Sequence, residues 1–190
     1  METKVSTTIP LDRLGVLIGT GGSTKSKVEG AFKARLLIQS DSGMVEIVPR
    51  EDSDDPTLIL RARDVVTAIA RGFSPERALS LVDDDIVLDV IDLRETFGRN
   101  ERDIARLNGR VIGREGKIRR LIEEMTGAKV SVYGHTISMI GEYEKATAAR
   151  AAIELLLKGK QHSTVYKLLR KLRSERKKRE TLELWQKPQS

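Results

Sequence analysis

The chain carries the same pattern twice. Leu17-Ile18-Gly19-Thr20-Gly21-Gly22 lies over Val111-Ile112-Gly113-Arg114-Glu115-Gly116 at an offset of 94 residues. The register continues without a gap. Lys25 meets Arg119, Val28 meets Ile122, Glu29 meets Glu123, Ala34 meets Ala128, and Leu36-Leu37-Ile38 meets Val130-Ser131-Val132. Such a repeat means one supersecondary unit used twice. A chain of 190 residues holds two such units of about 80 residues each.

Periodicity orders the elements similarly in both copies. In the first, Lys4–Leu11 alternates as a strand, the glycine loop follows, and a helix carries Val28, Ala31 and Phe32. Ala34–Gln39, Met44–Val48 and Thr57–Arg61 read as strands, with the acidic stretch Glu51–Pro56 as a turn or loop. A helix over Ala62–Gly72 closes the unit, with Gly72 as a candidate C-cap. In the second, Ile86–Leu93 is a strand and Arg99–Val111 an amphipathic helix, with Ile104, Leu107 and Val111 on one stripe and Arg102, Arg106 and Arg110 on another. After the loop come a helix over Lys117–Thr126, strands over Ala128–Val132 and Thr136–Ile140 around the tip Tyr133-Gly134-His135, and an alanine-rich helix over Glu142–Leu157. Beyond it, Val165, Leu168, Leu169 and Leu172 form a narrow apolar stripe, so a further helix is expected.

Composition removes whole classes of function. The chain has no cysteine and two histidines, His135 and His162, so thiolate chemistry is excluded and a metal centre is not expected. No window approaches the roughly 18 apolar residues of a membrane span, and no apolar stretch marks a signal peptide, so a cytoplasmic protein is expected. The net charge of +6 is uneven: residues 158–190 hold 11 basic and 3 acidic groups, while residues 75–157 hold 13 and 15. The basic tail suits a polyanionic partner, or else is a solvated helix.

The loops have a physical use. Glycines permit positive φ and let a ligand's backbone come close, and the helix that follows turns its N-terminal N–H groups toward a phosphate. In the second copy Gly113, Arg114, Glu115, Gly116, Lys117 and Arg120 supply that clamp, and Ile112, Ile118 and Val130 are the candidate apolar floor for unstacked bases. Arg106 and Arg110 are candidate phosphate contacts beside it, with a solvated helix face as the alternative. In the first copy the corresponding residues are Gly19, Thr20, Gly21, Gly22 and Lys25, without a basic residue inside the loop. There the loop serves equally well as a simple helix–helix turn.

The order strand–helix–G-x-x-G–helix–strand–strand–helix, centred on Val111–Ile118, resembles a type I (eukaryotic-type) KH domain. The fold class expected is α+β: two tandem type I KH domains, each a three-stranded sheet packed on helices, plus a C-terminal basic helix. The domains fall at 1–74 and 86–158, with a linker over 75–85 and the basic helix and tail over 159–190. Two KH units with such a tail resemble the archaeal relatives of the pre-ribosomal "partner of Nob" (Dim-two) family, over residues 3 to about 175. The resemblance implies single-stranded RNA binding at the 3′ end of small-subunit ribosomal RNA during subunit assembly. It implies protein partners there: a PIN-type endonuclease, a dimethyltransferase, or an initiation-factor alpha subunit. No Ser–His–Asp spacing, metal-ligand cluster or isolated carboxylate pair stands in the sequence, so no enzymatic activity and no cofactor are expected.

Two alternatives stand beside it. One is an RNA-tethering subunit of an RNA-degrading complex such as the exosome, which would call for an S1-type barrel. The other is a nucleotide hydrolase, because Gly19–Ser26 approaches the pattern G-x-x-x-x-G-K-[ST], with Thr24 where the second glycine belongs. Trp185, in a polar tail, either docks on the body or awaits a partner.

Overall fold

Thr7 and Val5 point to one side of the first strand and Ser6 and Thr8 to the other, which suits a strand with one face on a core. In the computed structural model, which describes residues 4–53, 55 and 57–186, that strand is β1 (Val5–Thr8). Helix α1 (Leu11–Ile18), a 3₁₀ turn (Thr20–Gly22) and α2 (Ser23–Ala31) follow, then β2 (Ala34–Gln39), β3 (Met44–Pro49) and α3 (Leu58–Ala70). The second half repeats the order: a short α4 (Pro75–Ala78), β4 (Ile86–Asp92), α5 (Leu93–Phe97), α6 (Glu101–Ile112), a 3₁₀ turn (Arg114–Gly116), α7 (Lys117–Thr126), β5 (Lys129–Tyr133), β6 (Thr136–Glu142) and α8 (Tyr143–Leu157). Last comes α9 (His162–Gln186). Residues 1–3, 54, 56 and 187–190 lie outside the described residues, as do parts of the acidic loop and the tail that rest on them.

Each half has an antiparallel three-stranded sheet whose last strand sits in the middle, β1-β3-β2 and β4-β6-β5. The fold is α+β, with the helices of each half packed on its sheet. In the first core Leu17, Val28, Phe32, Leu36, Ile47 and Ile69 are fully buried; in the second, Val111, Ile122, Val130, Ile137, Met139 and Ile153.

Four expectations need correction. The run Thr57–Arg61 is not a strand, because α3 starts at Leu58. A short apolar run is ambiguous between strand and helix, and here burial decides: Ile59, Ala62, Val65, Val66 and Ile69 share the core stripe at spacings of three and four. The Asp55 carboxylate accepts from the Thr57 backbone N–H (2.8 Å) and hydroxyl, fixing the turn into the helix. Second, the first strand ends at Thr8, and α1 occupies the stretch up to the loop. Third, α5 intervenes between β4 and α6, capped by the Asp92 side chain on the Arg94 N–H. Fourth, Gly72 follows the C-cap Arg71 and takes the left-handed conformation itself, φ +93°.

The halves are docked through their sheets and loops. In β6, Ile137 and Met139 face the second core while Ile140 enters the first. In β4, Ile86 and Leu88 pack on the first core and Ile91 on the second. The residues joining the halves belong to the same packing, since Ala78 and Leu81 are buried in the first core. Arg71 accepts from the Ser131 hydroxyl (2.8 Å), and the Tyr133 hydroxyl donates to Asp12. A Cβ on Gly72 would lie 2.8 Å from Ser131 Oγ and 2.9 Å from Tyr133 Cβ, so only glycine allows this approach. Arg13 braces the same seam, donating to the carbonyls of Ile69 (2.9 Å) and Phe73 (2.6 Å) with its guanidinium 5.8 Å from the Tyr133 ring centre.

Candidate nucleic-acid interface

The two loops take one conformation. Gly19 and Gly113 have φ +73° and +71° with extended ψ, and each donates back to a carbonyl four residues earlier, Gly15 and Gly109. A Cβ at Gly113 would stand 2.4 Å from Ile118 Cγ1, and one at Gly19 2.7 Å from the Thr24 backbone N. The glycine therefore lets the two helices close on each other. The third position is left-handed in both, at Gly21 (φ +59°) and Glu115 (φ +52°). In the second loop a non-glycine residue holds that conformation, which costs local strain. Gly22 and Gly116 have nothing within 4 Å of a would-be Cβ, so that side of each loop is open to an approaching backbone.

Behind each loop a buried-side carboxylate fixes the neighbouring strand. The Leu36 N–H donates to Glu29 and the Val130 N–H to Glu123, both at 2.8 Å. Lys25 lies 3.8 Å from Glu29 and Arg119 3.7 Å from Glu123. The repeat thus extends to the bonds between side chain and backbone.

Electrostatics separate the loops. Arg114, Lys117 and Arg120 are exposed and have no carboxylate partner among the described residues. They stand at the start of α7, where helix N–H groups also favour an anion. The equivalent positions in the first loop are Thr20, Ser23 and Ser26, and Lys25 is turned onto Glu29.

A groove of about 400 Å³ runs beside the second loop, lined by Ile112, Gly116, Arg119, Val130, Ser131 and Val132. Its other wall comes from the first half: Gly72, Phe73, Ser74 and Arg77. Arg77 reaches Glu123 at 3.2 Å. Sequence reasoning missed this wall, since no local pattern ties residues 72–77 to a loop some forty residues onward. Arg119 had a signal, its register with Lys25.

Of the other candidates, Ile118 lies beneath Gly113 in the core, outside the groove lining. Arg110 donates to the carbonyls of Leu156 (2.9 Å) and Lys160 (2.8 Å), so its guanidinium fork is engaged at the C-terminus of α8. Arg106 sits 3.4 Å from Asp103 on the exposed face. His135 pairs with Asp92 at 3.4 Å, and Trp185 is 83% exposed. The Gly19–Ser26 segment follows a helix, whereas a P-loop joins a strand to a helix, so the nucleotide-binding geometry is not built here. Among the described residues no three His, Asp or Glu side chains converge as metal ligands, and no helix is long and apolar enough to cross a membrane.

Comparison with known proteins agrees with this geometry. Residues 87–174 match the family KH_PNO1_2nd, described as a eukaryotic type KH-domain (KH-domain type I). The KH domain-containing protein MJ0443 of Methanocaldococcus jannaschii is 48% identical over 179 residues, covering 94% of this chain and 78% of that protein. The RNA-binding protein pno1 of Ixodes scapularis is 31% identical over 134 residues, 70% of this chain and 57% of its own length. Among solved structures, a chain of the a/eIF2alpha-aDim2p-rRNA complex from Pyrococcus horikoshii OT3 superposes with a TM-score of 0.85 at 40% identity, over 92% of this chain and 96% of that one. Shared across nearly the whole length, sequence and fold together mean that this chain belongs to the archaeal PNO1/Dim2-like family of KH-domain proteins.

Proposed function

We propose that the chain is a tandem type I KH protein that binds single-stranded RNA and assists maturation of the small ribosomal subunit, without catalysing a reaction. The observation that carries this reading is the second loop: three cations without a carboxylate partner among the described residues at a helix N-terminus, over an open glycine, beside a groove of about 400 Å³ whose lining mixes apolar Phe73, Ile112, Val130 and Val132 with Arg77, Arg119 and serines. A phosphate backbone fits the cations and open glycine, and unstacked bases fit the groove. The RNA-contacting residues are Gly113, Arg114, Glu115, Gly116, Lys117 and Arg120 with the lining Ile112 and Val130; Gly19–Gly22 and Lys25 form a weaker second contact. The units divide at 1–74 and 86–158, joined by 75–85 and followed by the basic helix from 159.

The relatives supply the RNA class. One is named as RNA-binding, and an archaeal neighbour was solved with rRNA and a/eIF2alpha. That likeness supports ribosomal RNA as the target and an initiation-factor alpha subunit as a partner; we take the RNA to be the 3′ region of small-subunit rRNA, with a PIN-type endonuclease or dimethyltransferase recruited to it. The site of action is the cytoplasm.

Crosslinking in cells followed by sequencing of the bound RNA tests this. Reads gathered at the 3′ end of small-subunit rRNA, lost when Arg114 and Lys117 are both changed to Asp, are the expected result. Reads spread evenly over messenger RNA would overturn it.

A further inference from the structure

The cations of α9 fall into two sets. Arg176 donates to the Thr126 carbonyl and Arg179 to Glu144 (2.8 Å), so these two dock the helix on the body. A second set points elsewhere. Arg170, Arg173 and Lys177 follow one another at three and four residues, on one stripe of the helix, with Lys178 beside them. Arg170, Lys177 and Lys178 have no carboxylate partner among the described residues, and the Arg173 guanidinium meets only the Met125 sulfur, at 3.3 Å. Together these four line a groove of about 860 Å³ between α9 and the end of α7, with Met125 and Leu182 as its apolar part and no acidic side chain among its described lining residues.

Like charges at such spacings destabilise a helix by about 0.2–0.5 kcal/mol per pair. No described carboxylate closes an ion pair with Arg170, Lys177 or Lys178, although Lys171 pairs with Glu175 and Arg176 with Glu180 on the same helix. An anion held along the stripe would offset the repulsion. The groove lies at the far end of the helix that the RNA loop opens. Helix α7 begins at Lys117 and reaches the groove at Met125, an axial distance of about 12 Å. A single strand leaving the loop along α7 would pass the exposed Glu124 and then meet the α9 cations, with apolar surface at Met125 and Leu182 for a base face.

We propose that the α7–α9 groove is a second RNA site, which takes the phosphate backbone of the strand clamped at Gly113–Gly116 through Arg170, Arg173, Lys177 and Lys178. The proposal rests on the RNA-binding reading above and adds a track for nucleotides beyond the loop. The track lengthens the RNA footprint without reading sequence, because phosphate contacts position and base contacts specify.

The test uses the full chain and fluorescence anisotropy with two labelled single-stranded RNAs: a tetranucleotide, which the loop alone can clamp, and one of about 12 nucleotides. The variant R170Q/K177Q/K178Q is compared with K158Q/K160Q/K171Q, which removes the same charge outside the groove. Circular dichroism checks that both fold. The groove variant is expected to lower the salt slope on the long RNA by about 2, three contacts at about 0.7 each, and to leave the tetranucleotide unaffected. The control triple is expected to change neither. An unchanged slope in the groove variant, with the tetranucleotide still bound, overturns the groove and spares the loop. An equal fall in the control means a diffuse field and overturns it too. If polyglutamate binds as tightly as the long RNA and is lost with the same variant, the groove is a protein site and the proposal fails. If the wild-type chain binds neither RNA, the RNA-binding reading itself falls, and the groove with it.

Discussion

The first and second loops share backbone and differ in charge. Gly19–Gly22 and Gly113–Gly116 superimpose in their dihedral angles, and Glu29 and Glu123 hold the neighbouring strand by the same 2.8 Å bond. The second loop carries three cations without a carboxylate partner among the described residues, Arg114, Lys117 and Arg120, and a groove walled by the other half of the molecule, where the first loop has Thr20, Ser23 and Ser26. The scaffold is therefore retained in both copies while the exposed positive charge is concentrated in one. Loop shape is a steric requirement of closing one helix on the next, and it survives whether or not a ligand is bound. Charge is a separate property that side-chain choice sets freely on the surface.

The comparison breaks most sharply with charge reversal. Arg114→Asp with Lys117→Asp should weaken single-stranded RNA binding roughly 100-fold, two charge-assisted contacts at about 1.5 kcal/mol each. Thr20→Asp with Gly21→Asp should cost only a few-fold. Titration of a labelled RNA into each variant decides it; a larger loss from the first loop would reverse the ranking of the two units.

The paired carboxylates come next. Glu123 receives the Val130 N–H and two guanidinium groups, Arg77 and Arg119, where Glu29 receives the Leu36 N–H and one lysine. Glu123→Ala should destabilise the fold by about 2 kcal/mol and Glu29→Ala by about 1 kcal/mol, measured as shifts in the urea midpoint. Equal shifts would mean that Arg77 contributes nothing to holding the halves together.

A smaller effect is expected at the seam. The Tyr133 hydroxyl donates to Asp12, and that bond, with partial burial, raises the phenol above its usual value of 10. A raised pKa in the folded state means the contribution is complete below pH 10 and disappears as pH climbs through the folded value. Tyr133→Phe should cost about 1 kcal/mol at neutral pH and nothing at strongly alkaline pH, with RNA affinity little changed. A cost independent of pH would assign the effect to packing.

The smallest expectation is none at all. Calorimetry with ATP or GTP and magnesium should show no binding at the first loop, since Thr24 is packed under Gly19 and a helix precedes the turn. Micromolar affinity lost on Lys25→Ala would restore the hydrolase reading.

Much of this was legible in the residues themselves. The offset of 94 marked both loops, and α7 spans Lys117–Thr126 as the helical period placed it. Less legible were segments whose state depends on what they meet. Thr57–Arg61 is a short apolar run that suits a buried strand or a helix turn equally, and the core resolved it toward α3.

By itself the sequence determined the two glycine loops, the repeated unit around them and the division of charge between body and tail. Those follow from local sterics, short-period patterning and composition, which need no distant partner. Tertiary structure alone decided that Arg77 and Phe73 wall the second groove, that Arg110 serves the end of α8, and that Arg176 and Arg179 dock α9 while Arg170, Lys177 and Lys178 stay free. An exposed arginine looks the same in sequence whichever way it turns. Its role depends on which carbonyl or carboxylate the packing of distant elements brings within about 3 Å of its fork.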